Sequence, residues 1–116
     1  MEIDDFLGEE VVDRAGETVG TFACYWHSFE GKAFVLGIEV DEDSEHTRIV
    51  PARGMRMNER HSCLRIPFSR DQVNAAPGLD CDEELDTHHE EDMYKHYDLE
   101  APKSLAHLQI RRMSTN

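Results

Sequence analysis

The stretch Val73–Leu99, VNAAPGLDCDEELDTHHEEDMYKHYDL, decides how the chain is read. Ala75-Ala76-Pro77 stops whatever precedes it, since proline lacks an amide hydrogen and disfavours helical backbone in the residue before it. Asp80 or Asp82 then offers a cap, and Glu83, Glu84 and Asp86 fall where a helix presents its positive end. The spacing predicts a helix from Asp82 to about Tyr97. Leu85, His89, Met93 and Tyr97 recur every four residues and define the face that packs on the rest of the protein.

Upstream of this helix the period falls to two. Ser69 caps a short helical turn through Val73. Met55–Met57 and Ser62–Pro67 read as a hairpin around Asn58-Glu59-Arg60-His61, with Leu64, Ile66 and Phe68 facing in and Cys63 and Arg65 facing out. His46–Pro51 is a strand that Pro51 closes, and Asp41–Glu45 is an acidic loop. In Ala33–Val40, residues Phe34, Leu36, Ile38 and Val40 alternate with Val35, Gly37 and Glu39. Thr18–Phe29 is a long strand apolar on both faces, as a strand that wraps from one side of a barrel to the other would be. Arg14-Ala15-Gly16 is a tight loop after the first strand, Glu10–Asp13. The expected fold is mainly β: a small closed antiparallel barrel of five or six strands with a C-terminal helical segment.

Taken together, Val73–Leu99, the early VVDRAGETVG at Val11–Gly20 and the strand end Val50-Pro51 resemble a PRC-barrel domain. That family shares its small barrel with the cytoplasmic part of the photosynthetic reaction-centre H subunit and the C-terminal half of a ribosome maturation factor. The resemblance implies a leader at 1–7, a domain at 8–99 (barrel 8–68, helical closure 69–99) and a tail at 100–116. Family members of this acidic-helix type often end Tyr-Gly, where this chain has Tyr97-Asp98.

Composition narrows the function. The chain has 116 residues, 12 Lys/Arg against 25 Asp/Glu, a net charge of −13 and a mean hydropathy of −0.64. Its longest apolar run is far shorter than the ~20 residues of a membrane span. The first residues lack a signal-peptide pattern, so a cytoplasmic location is expected. So acidic a surface is repelled by nucleic-acid phosphates, which argues against direct nucleic-acid binding. The sign reverses in residues 46–79, which carry Arg48, Arg53, Arg56, Arg60, Arg65 and Arg70. Of these, Arg48, Arg53, Arg56 and Arg65 are candidates for a face that meets an acidic partner.

Chemistry-bearing patterns are sparse. His88, Asp92 and His96 recur at four-residue spacing and are the candidate metal ligands, but the expectation is a solvated helix face with no bound metal or cofactor. Cys24, Cys63 and Cys81 are too few for a disulfide framework. Cys24 reads as a small core residue, and Cys81, between Asp80 and Asp82, as a poor nucleophile. No nucleophile–base set or phosphate-binding glycine loop is present, so an enzyme is not expected. A barrel of this size is filled by its own side chains. The expected function is therefore a non-catalytic protein-interaction or scaffold module that self-associates as a homodimer, with Leu105, Leu108 and Ile110 of the tail covered by the partner. The alternatives are a ribosome-associated factor that binds a basic protein, and a metal-responsive or stress-related protein using the histidine-rich helix.

Overall fold

A computed structural model describes residues 3–27, 33–40, 43–99 and 109–112. A single 3-10 turn, Ile3–Phe6, buries Phe6 under the sheet. The strands follow in order: β1 (Glu10–Val12), β2 (Thr18–His27), β3 (Ala33–Val40), β4 (Asp43–Pro51), β5 (Arg56–Asn58) and β6 (Cys63–Arg65). Helices α1 (Arg70–Asn74) and α2 (Thr87–His96) come next, and β7 (Gln109–Arg112) is last.

The sheet runs β4-β3-β2-β1-β6-β5, with β7 added alongside β2. Strand β2 is long enough to hold three neighbours. Its first half pairs with β1, its second half with β7, and the opposite edge with β3. Strand β2 is also covered on both faces: Phe22, Cys24, Tyr25 and Trp26 are all buried. Gly20 and Gly37 are needed where strands approach closely. A Cβ at Gly20 would lie 2.2 Å from the Glu39 carbonyl oxygen, and one at Gly37 would lie 2.4 Å from Cys24 Sγ. Gly16, at φ +85°, closes the β1–β2 loop in the left-handed conformation that favours glycine.

Two features differ from the closed antiparallel barrel expected above. Strand β1 pairs with β6 in parallel, so the sheet is mixed. No ladder joins β4 to β5 among the described residues, so the sheet stays open. The β4 edge is instead covered by the segment after α1. Ile49 N–H donates to the Pro77 carbonyl and Leu79 N–H to the Thr47 carbonyl, while the Thr47 hydroxyl returns a bond to Leu79. Cys63 is buried rather than outward. Residues 109–112, read from the sequence only as part of a tail, form a strand.

Local caps set the helices. Ser69 and Gln72 form a reciprocal capping box at the start of α1. Helix α2 starts later than expected. Its cap is Asp86, not Asp80 or Asp82, and Asp86 accepts from His89 N–H at 2.8 Å. The inward face carries Met93 and Tyr97 as expected, but also Glu90 and Tyr94, whereas Leu85 and His89 are only half-buried.

A disulfide joins Cys24 on β2 to Cys81 before α2, across 57 residues of sequence. This corrects the reading of Cys24 as a plain core residue. Trp26, two residues along β2, donates Nε1–H to the Glu83 carbonyl at 3.2 Å. The acidic segment between α1 and α2 is thus held to the sheet by a covalent bond and by a hydrogen bond from a buried side chain. Such bonds are as a rule products of oxidising compartments, so this one weighs against the cytoplasmic expectation.

Candidate functional site

The four candidate arginines separate into two pairs. Arg48 lies on β4 opposite Ile38, and its guanidinium donates to the Ala76 carbonyl at 3.2 Å. It fastens the sheet to the end of α1. Arg53 is exposed in the turn after β4, close enough to Tyr94 to favour its phenolate. Burial nevertheless dominates and pushes the Tyr94 hydroxyl above its ordinary pKa. Neither residue shares a cleft with the remaining pair.

Arg56 and Arg65 do come together. Strands β5 and β6 are antiparallel, and the two arginines are cross-strand partners on one face of the ladder. They line an open cleft of about 200 Å³ with Arg14, Gly54, Ile66 and Pro67. Arg14 arrives from the β1–β2 loop, because the parallel β1–β6 pairing sets Val12 beside Arg65. The Arg65 guanidinium donates to the Arg14 carbonyl at 2.7 Å, which fixes one wall. Gly54, at φ +80°, lets the turn after β4 fold against Pro67, where an added Cβ would meet the proline ring at 3.1 Å.

The charge balance of this cleft is one-sided. No carboxylate among the described residues lies within ion-pair distance of Arg14, Arg56 or Arg65. On α2, His88 approaches Asp92 at 3.8 Å and His89 approaches Asp86 at 3.1 Å.

Of the metal candidates, His88 and Asp92 lie 3.8 Å apart, while His96 bonds the Gln72 carbonyl at 2.7 Å, tying α2 to α1. No group of three His, Cys, Asp or Glu side chains is placed to hold a metal among the described residues. Ile110 lies on β7, whose backbone pairs with Trp26 of the same chain, and Leu105 and Leu108 fall outside the described residues. No described helix is long and apolar enough to cross a membrane.

Arg14 was not among the candidates drawn from sequence, where it reads as a turn residue. It lies 51 residues from Arg65, and nothing local announces the pairing that joins them. No protein-family model matches the chain, and no curated protein matches its sequence.

Proposed function

We propose that the chain is a non-catalytic protein-interaction module of the PRC-barrel type, and that it self-associates through the β5 end of its sheet. One observation carries the reading. Strand β5 ends the sheet, and Arg56, Met57 and Asn58 are all exposed on it. Met57, at 41% exposure, is the large apolar side chain left uncovered among the described residues. An edge strand of this kind presents unpaired backbone groups that a second strand can satisfy. A two-fold axis through Met57 would set the two methionines against each other and Arg56 against the second copy's Asn58.

Strand β7 pairs with β2 of its own chain, and the contact is placed at β5 because Met57 is exposed there. Electrostatics then sets the salt dependence. Two copies carry −13 each, and the β5 ends bring arginines near arginines. Both effects oppose association and both are screened by salt. Light scattering at ~100 μM should give a dimer that strengthens from ~0.05 to ~0.5 M salt. Met57→Lys, which puts a further cation on the edge, should give monomer with unchanged circular dichroism. A wild-type protein that stays monomeric throughout that salt range would refute the self-association.

A further inference from the structure

We infer that the cleft between Arg14, Arg56 and Arg65 is a binding site for one compact oxyanion, a carboxylate or a phosphate group. The inference goes beyond the docking role and stands whether or not β5 pairs with a second copy.

Three observations lead to it. First, Arg56 and Arg65 are directly opposed across a ladder, an arrangement that destabilises a sheet unless the charge is met. Second, the chain contains 25 carboxylate side chains, yet none of the described ones is placed to meet it. Third, the site is shaped before any ligand arrives. Arg65 is anchored on the Arg14 carbonyl, and the Gly54 turn packs against Pro67 to form an apolar wall. Guanidinium forks suit planar carboxylates and phosphates, which they hold through paired N–H donors.

Size and field select a compact ligand. A volume of about 200 Å³ holds a small oxyanion with a few waters, each water occupying ~30 Å³. The chain as a whole carries a net charge of −13. A nucleic acid, with one phosphate charge per ~1.7 Å of duplex, meets that net repulsion along its length. A single oxyanion engages the arginines of the cleft alone. The group could arrive as a free small anion or as one side-chain carboxylate of another protein, and the recognition chemistry is the same.

Amide-resolved NMR titration of the full chain tests this, with ionic strength held constant by sodium chloride. The probes are inorganic phosphate, citrate, a blocked Gly-Glu-Gly peptide and a single-stranded oligonucleotide. Phosphate or citrate should shift the amides of Gly54, Arg56 and Arg65 saturably with one site per chain. Arg56→Gln should weaken that binding at least tenfold and leave the fold intact, since Arg56 is exposed; Arg53→Gln should change it less than twofold. Tighter binding of the peptide than of either free anion would assign the group to a protein side chain, and the reverse would assign it to a free anion. The site is refuted if chloride alone reproduces the shifts, if Arg56→Gln binds as well as wild type, or if the oligonucleotide binds tightest at these residues.

Discussion

Cys81→Ser is expected to cost about 4 kcal/mol, the chain-entropy value for releasing a loop of this length. The loop spans 57 residues, from Cys24 on the central strand to Cys81 beside α2. The position of the bond adds to the effect. Cys24 is fully buried, and its sulfur fills the space that Gly37 leaves open. Once the bond is lost, the segment before α2 is held by the Trp26 bond to Glu83 and by the Leu79 and Pro77 contacts with β4. The melting temperature should fall by roughly 15 °C. Urea unfolding with and without reductant provides the check, and reductant should bring wild type to the level of the variant. Three reactive thiols in the unreduced, unfolded protein would contradict the bond, because only Cys63 is free.

The second large effect concerns pH. Glu90 lies on the inward face of α2 with 1% of its surface exposed, and its Oε1 has no hydrogen-bond partner. Burial, helped by the charge of nearby Asp86, raises its pKa from 4.5 to about 7. The folded state therefore holds a proton that the unfolded chain has released between those values. Stability from this group is fully present below pH 4.5 and falls as the pH rises to about 7, by about 3 kcal/mol at ~1.4 kcal/mol per unit.

Asp13 acts in the opposite sense. Burial alone would raise its pKa, but N–H groups of Glu17, Ala15, Arg70 and Gly16 outweigh that and hold it below 3.8. Its contribution is present above 3.8 and is lost as the pH falls through its folded value. The contributions of these two groups are both present at mildly acidic pH. Glu90→Gln should flatten the decline between pH 5 and 8, and denaturation midpoints across that range give the comparison. A variant with the wild-type slope would remove Glu90 from the account.

The first strands were legible in the sequence because alternation and turn chemistry agree there. Gly16 marks the loop and Leu36, Ile38 and Val40 mark a covered face. Ser69 was legible as a cap for the same local reason. What failed was non-local. The parallel β1–β6 ladder leaves no trace in either strand's pattern, because strand direction in a sheet is a tertiary choice. The Cys24–Cys81 bond joins a core strand to an acidic loop, and judging Cys81 only by its charged neighbours addressed its reactivity and not its reach. Strand β7, Gln-Ile-Arg-Arg, is too short to alternate and pairs only because β2 extends past β1. Charge reversal within residues 46–79 pointed to Arg56 and Arg65, but it could not separate them from Arg48, which fastens α1 to the sheet, or supply Arg14 from the opposite end of the domain.

The β5 end of the sheet is the proposed docking face. The most direct test is to follow backbone amide shifts as the protein is diluted from ~500 to ~10 μM. The account predicts concentration-dependent shifts at Arg56, Met57 and Asn58, with the amides of α2 and of the segment before it unchanged. Shifts confined to α2 or to β7, or no shifts at all, would contradict it.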